Sequence, residues 1–350
     1  MMDNNFSTIL QAYGISLDYE SIQPYGSGNI NKTFLIKTEQ GTKYILQQIN
    51  TSVFKVPMHI VENWLIAKTH LQKNHPGYSM MEYLPTLSGE WFYKDNDQKY
   101  WRLVSYIDQS QCLETVSSVK QAIQAATAFA EFTSLLRGID TSQFHTILND
   151  FHNLAWRQQQ FDDALKTAST ERLESASATL SELRENSWIT DYYVSVIHQL
   201  PLRIVHMDAK ISNLLFDTKG EKVKCVIDLD TMMPGTILSD LGDMIRSMAS
   251  PVGEDERDTS KIIIRREILE GLIFNYISGI QDITPIEKEN ASFAGLMLVY
   301  MQALRFMTDF LQNDSYYTIK YPMHNLDRAK NQSFLLKRLL EEPIYNGHFR

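Results

Sequence analysis

Cysteine is nearly absent from this chain: Cys112 and Cys225 are the only two in 350 residues. Two thiols cannot build a disulfide framework, which excludes a stapled secreted scaffold and points to a reducing cytoplasm. Cys225 stands inside the apolar run Val223 to Leu229 and reads as a small buried hydrophobe. Long apolar runs are missing too. The best, Gly295 to Met307, is interrupted by Gln302 and Arg305, and a bilayer span needs roughly 20 apolar residues. The opening Met1-Met-Asp-Asn-Asn-Phe6 has no basic region followed by an apolar stretch, so no signal peptide is expected. Positive charge is also in deficit. A net charge of −9 with no basic patch excludes a nucleic-acid binder. The acidity is spread along the chain and reads as a solubility feature. No repeat, no low-complexity tract and no protein-partner signal is evident. The expectation is a soluble cytoplasmic protein acting on a small molecule, away from membranes and nucleic acids.

What is present divides into two patterns. Residues 20 to 107 read as strands around one helix. Ile22 to Gly26, Lys32 to Lys37 and Lys43 to Ile49 are strand-like, separated by turn residues. After Pro57, the residues Ile60, Trp64, Ala67 and Leu71 share one helical face, and Asn74-His-Pro-Gly77 ends it. Strands are expected again near Gly89 to Tyr93 and Tyr100 to Ile107. From about 118 the period becomes helical, with Ala122, Ala125, Phe129, Phe132 and Leu136 on one stripe. Further helices are expected at 169–186, 189–199, 260–279, 288–312 and 326–341, interrupted by strands at 203–207 and 223–229. This predicts an α+β, bilobal, protein-kinase-like fold. A small β-rich nucleotide-binding lobe, 1–107, precedes a larger helical lobe, 108–350, carrying the catalytic and acceptor-binding residues.

The interrupting strands carry the chemistry. His206-Met-Asp-Ala-Lys-Ile-Ser-Asn213 is followed by a short apolar strand, a turn, and a strand ending in Asp228-Leu-Asp230. Phosphoryl transfer from ATP needs one carboxylate to orient and deprotonate the acceptor hydroxyl. It needs a second carboxylate and a carboxamide to hold Mg²⁺ on the phosphates. Asp208 fits the first role, and Asn213 with Asp228 fits the second. Each alone would pass as a turn residue or helix cap; the ordered set would not. Lys210 lies two residues after Asp208, where its ammonium can offset charge on the transferred group. Asp230 either completes the metal shell or caps the next turn.

Gly26-Ser-Gly-Asn-Ile-Asn-Lys-Thr33 nearly spells a Walker loop, but Asn31 stands where Gly is required. The flank Phe34-Leu-Ile-Lys37 continues as a strand, whereas a Walker loop opens a helix. Gly26 and Gly28 are therefore read as a hairpin over the ATP phosphates, a plain hairpin turn being the alternative. Asp240 and Asp243 read as the start of a helix, where exposed amides stabilise carboxylates. His145 and His152 read as ordinary, partly buried histidines. About twelve residues separate Asp228 from Asp240, too few for a protein kinase's activation segment. A small-molecule acceptor is implied.

With these residues in view, the chain resembles the aminoglycoside phosphotransferase and choline kinase superfamily, and within it the N-acetylhexosamine 1-kinases. The likeness runs through Tyr25-Gly-Ser-Gly-Asn-Ile-Asn31, Tyr44-Ile-Leu-Gln-Gln-Ile-Asn50, Asp150-Phe-His152 and Val226 to Gly235. It continues in Asp240-Leu-Gly-Asp243 with Arg246, and in Leu304-Arg-Phe-Met-Thr-Asp309. The resemblance implies ATP between the lobes, Asp208 as base, Asn213 and Asp228 at Mg²⁺, and phosphorylation of the anomeric hydroxyl of GlcNAc or GalNAc. Arg246, Arg305 and Tyr317 are then candidates for the sugar pocket, against a reading as helix packing and surface ion pairs. Two departures stand out. Gln47, with Glu62 as its possible partner, occupies the third-strand position where many members carry Lys or Arg. Met207 stands where Gly or Asn is commoner. Two rival readings remain: a kinase of another small alcohol (choline, homoserine or an aminoglycoside), and a catalytically silent nucleotide-binding module.

Overall fold

The computed structural model describes residues 3–16, 22–26, 30–345 and 349. A helix the sequence reading did not anticipate, α1 (Asp3–Ala12), opens the chain. Its Ile9 and Leu10 are fully buried against Ile36, Leu46, Trp101 and Leu103 of the first sheet. That sheet is antiparallel throughout. Strands β1 (Ile22–Pro24), β2 (Lys32–Lys37) and β3 (Lys43–Gln48) are followed by α2 (Pro57–Asn74), then β4 (Tyr83–Leu84), β5 (Tyr93–Lys94) and β6 (Tyr100–Ser105). The strand order is β1-β2-β3-β6-β4, with β5 also pairing β6. Pro57 opens α2, whose buried face includes Ile60, Trp64, Ala67 and Leu71, the expected stripe. The strand expected from Gly89 shrinks to two residues. Thr86 turns the chain back instead, its hydroxyl and amide both bonding to Glu90.

Beyond residue 107, β7 (Ser110–Cys112) leaves the first sheet and pairs with β9. Helix α3 (Val119–Leu135) is capped by the Ser118 hydroxyl and buries Ala122, Ala125, Phe129 and Phe132. Helix α4 (Leu154–Thr167) has no counterpart in the sequence reading. It buries only Leu154, Phe161 and Ala164, too sparse a stripe to show through its glutamines. Helices α5 (Thr170–Glu185) and α6 (Trp188–Ile197) lead to the short strands β8 (Arg203–Val205), β9 (Leu214–Asp217), β10 (Val223–Val226) and β11 (Met233–Gly235). The remainder is helical: α7 (Ile237–Met248), α8 (Arg266–Gly279), α9 (Pro285–Asn290), α10 (Phe293–Leu311) and α11 (His324–Leu340).

The single helix expected over 288–312 is two. Thr284 and Glu287 form a capping box that starts α9 separately. Every residue of α10 except Arg305 is buried. A helix apolar on all sides is a core helix or a membrane span, and here α7, α11 and α4 pack around it. Among the described residues no helix is long and apolar enough to cross a membrane. The architecture is α+β, a small antiparallel-sheet lobe beside a larger helical one.

Candidate active site

Strand β8 ends at Val205, two residues before the expected limit, because Met207 takes a left-handed conformation at φ +69°. That reversal lifts Asp208 out of the strand direction. Three contacts fix it. The Asp240 carboxylate on α7 accepts the amides of His206 and Met207 at 2.9 and 2.8 Å. The Thr231 hydroxyl donates to the His206 carbonyl at 2.8 Å. His206 Nε2 lies 2.8 Å from the Ile227 carbonyl, while Nδ1 faces the Asp208 amide at 3.3 Å. These partners require the Nε2–H tautomer. Burial pushes the Asp240 carboxyl up to about 6, against the pull of His206. The sequence reading gave Asp240 a helix-terminus role; its side chain instead braces the loop carrying Asp208.

The structure brings Asp208 and Asn213 into contact and places Asp228 one residue after a backbone bond to Asn213. Asn213 Nδ2 donates to the Asp208 carbonyl and to its Oδ2, at 2.7 and 2.9 Å. The Ile227 amide, next to Asp228, donates to the Asn213 carbonyl at 3.0 Å. Lys210 Nζ lies 2.8 Å from Asp208 Oδ1. Burial disfavours charge on Asp208, yet the Lys210 ammonium and the Asn213 hydrogen bond hold its carboxyl below the usual range. Lys210 is correspondingly raised, burial being outweighed by Asp208 and Asp243. Asp228 is left-handed at φ +57° and its carboxylate has no hydrogen-bond or ion partner among the described residues. Burial first, then the charges of Asp230 and Asp208, push it up to about 6. An unpartnered half-buried carboxylate, with its chain neighbour Ile227 bonded to the backbone of Asn213, has the chemistry of a hard-cation ligand. Those two residues fit a magnesium ion.

Asp230 does not join them. Its Oδ2 accepts from Asn31 Nδ2 at 2.7 Å and its Oδ1 lies 2.6 Å from Arg102 Nη1. Asp230 thus links the turn after Asp228 to the small lobe through an ion pair and a hydrogen bond. Gln47 is held by the same arginine. Its Oε1 accepts from Arg102 Nε and Nη2 at 2.9 and 2.7 Å, and Nε2 donates to Thr33. A cation does stand one strand over, where Arg102 faces Gln47 in register, but it is paired with Asp230. Glu62 is not the partner of Gln47; it pairs with His145 at 2.8 Å. Gly26 has φ +78° at the hairpin, a conformation that favours glycine, and β2 continues beyond it as a strand. Gly28 lies outside the described residues.

The proposed acceptor side is mixed. Arg246 is committed to Asp243 and Glu254, with contacts of 2.7 to 2.8 Å, so its guanidinium is an ion-pair centre and not a free pocket donor. Arg305 differs. It donates to Gln302 at 3.1 Å and lies over the Phe151 and Tyr317 rings, with no ion pair among the described residues. Arg157 is also without an ion pair there, and burial followed by the charge of Arg305 lowers it to about 10. His152, which the sequence reading set aside, lies between these groups. Burial, then Arg305, pushes its imidazole down to about 3, while Asp208 pulls the other way. Its buried Nδ1 has no hydrogen-bond partner among the described residues. Only the Asp150-Phe-His152 motif could have signalled it.

Comparison with known proteins bears on the fold and the family. An aminoglycoside phosphotransferase from Alicyclobacillus acidocaldarius superposes with a TM-score of 0.61 at 12% identity, over 95% of this chain and 94% of that one. An amicoumacin kinase in complex with AMP-PNP, Ca²⁺ and Ami gives 0.62 at 12% identity, over 98% and 95%. A choline/ethanolamine kinase family protein from Mesorhizobium loti gives 0.55 at 18%, over 100% and 98%. At such identities the likeness is one of fold. The sequence model of the phosphotransferase enzyme family matches residues 21–262, more than half of the chain, and the chain belongs to that family.

Proposed function

We propose that this phosphotransferase transfers the γ-phosphoryl group of ATP to the anomeric hydroxyl of an N-acetylhexosamine, GlcNAc or GalNAc, giving the sugar 1-phosphate. The observation that carries the reading is the Asp208–Asn213 contact on the braced loop after β8, with Asp228 at the end of the following hairpin and with His152 close enough to feel the charges of both Asp208 and Arg305. A cationic acceptor such as choline or an aminoglycoside calls for unpaired carboxylates. On this side Asp243 and Glu254 are already neutralised by Arg246, and a guanidinium and a neutral imidazole suit sugar oxygens better. The neighbour that holds AMP-PNP with Ca²⁺ supports a nucleoside triphosphate and a divalent cation.

In this mechanism Asp208 accepts a hydrogen bond from the sugar hydroxyl and takes its proton as the oxygen attacks the γ-phosphorus. The bond from that phosphorus to the ADP oxygen breaks in the same step. Because Lys210 holds Asp208 ionised, the carboxylate's main contribution is aiming the nucleophile, with proton removal late. Asp228 and Asn213 would hold Mg²⁺, which neutralises phosphate charge when bound. Arg305 and Tyr317 would bind the sugar ring; the small lobe, through Gly26 and Gly28, would cover the phosphates.

The test compares free GlcNAc and GalNAc with their methyl glycosides, together with choline and an aminoglycoside. Phosphorylation of the free sugars alone is expected, because methylation removes the proton Asp208 must accept. Equal turnover of the glycosides would exclude the anomeric position. Turnover of choline or the aminoglycoside alone would remove the sugar.

A further inference from the structure

We propose that His59, Glu62 and His145 form a binding site for a divalent transition-metal ion, Zn²⁺ in the first instance, separate from the magnesium position at Asp228. His59 and Glu62 are three residues apart on α2 and so lie on one helix face. His145 comes from the loop before α4. One donor atom from each of the three lies within 4.8 Å of the other two. Zinc ligands stand about 2.0–2.2 Å from the ion, so donors sharing it must lie within about 4 Å of one another. The donor atoms are already near that separation, and coordination requires the two imidazoles to rotate about their side-chain torsions so that their in-plane lone pairs converge on the ion. The two imidazoles are stacked with centroids 3.9 Å apart and planes within 4°. Glu62 Oε2 is 2.8 Å from His145 Nε2, a contact the ion would replace.

The site does not depend on an ion to assemble it. Asn63, the neighbour of Glu62, accepts the His145 amide at 2.8 Å and donates to its carbonyl at 2.9 Å. The same side chain donates to the Met232 carbonyl at 3.0 Å. The backbone of His145 is therefore clamped to α2 already. Two imidazoles and one carboxylate, with no thiolate, suit Zn²⁺, Co²⁺ or Ni²⁺ and discriminate against Mg²⁺, which prefers oxygen alone. Three protein ligands leave a fourth position for solvent. None of the three residues takes part in the phosphoryl transfer described above.

The position gives such an ion a consequence. It would tie α2 of the small lobe to the loop whose Ile147 and Leu148 pack on Met207 and Met233, next to Asp208. Occupancy would fix the helix against the segment that carries the base.

Untagged full-length protein in excess Mg²⁺ is titrated with Zn²⁺ by calorimetry, and with Co²⁺ followed by its visible absorption. One ion per chain is expected. Affinity should fall by at least ~10-fold in His59→Ala and in His145→Ala, and stay unchanged in His198→Ala, an exposed histidine on another face. Glu62→Gln, which keeps the side-chain shape, should weaken binding as well and keeps the test decisive should a histidine variant fold poorly. No saturable Zn²⁺ uptake by the wild type, or equal affinity in the wild type, His59→Ala and Glu62→Gln, would overturn the proposal.

Discussion

Arg102 Nη1 lies 2.6 Å from Asp230 Oδ1, with both side chains at most 2% exposed. One residue comes from β6, an interior strand of the small lobe, and the other from the turn that follows Asp228. The pair, with Asn31 on the second oxygen, fixes the lobe that would cover the nucleotide against the segment that would hold its metal. The same arginine holds Gln47 through its side-chain oxygen. A buried cation thus stands on the strand next to Gln47.

Breaking that pair should cost stability. Arg102→Met or Asp230→Asn each leaves a buried partner unsatisfied, at a cost of about 3–5 kcal/mol. The double variant should lose less than the sum, as read by urea unfolding. Strictly additive losses would mean that the two side chains do not interact.

Asp208→Asn should lower kcat by roughly 10²–10⁴, about 3–5 kcal/mol of barrier, with ATP affinity preserved. Turnover within tenfold of wild type would remove Asp208 from the base role.

The metal assignment separates two variants. Asp228→Ala should nearly abolish turnover at every Mg²⁺ concentration. Asn213→Ala should be milder and partly rescued by excess Mg²⁺, since a neutral ligand contributes less than a carboxylate. Wild-type Mg²⁺ dependence in both would refute it.

Asp240 predicts a pH effect. Its folded value, about 6, lies above the ~3.9 of an unfolded chain. The folded state therefore binds the extra proton, and this residue's contribution is full below about 4 and declines as pH rises towards 6. Relative to Asp240→Asn, the wild type should lose roughly 1–3 kcal/mol across that window. The variant should also turn over more slowly at neutral pH, because a carboxamide cannot accept both the His206 and Met207 amides. A flat stability difference from pH 4 to 6 would show that burial does not control this carboxyl.

Arg305→Met should raise KM for the acceptor while leaving KM for ATP unchanged, since the side chain rests on Phe151 and Tyr317, away from the small lobe. An effect confined to ATP would place Arg305 on the wrong side of the site.

Much of this protein is decided locally, and that part the sequence determined. The α2 stripe, the hairpin strands and the spacing from His206 to Asp230 depend on periodicity and turn chemistry within a few residues. Asp208, Asn213 and Asp228 are close in the chain and could be brought together by one loop and one hairpin. Only the tertiary structure decided the rest, because the partners lie far apart in sequence. Asp230 pairs with Arg102, Glu62 pairs with His145 and not with Gln47, and Asp240 braces a loop 33 and 34 residues earlier. Helix α4 stayed hidden because three buried side chains make no readable stripe. Arg246 and Arg305, alike as isolated letters, separated only when packing surrounded one with carboxylates and the other with aromatic rings. A buried charge is defined by what neutralises it, and no local pattern states which distant residue that will be.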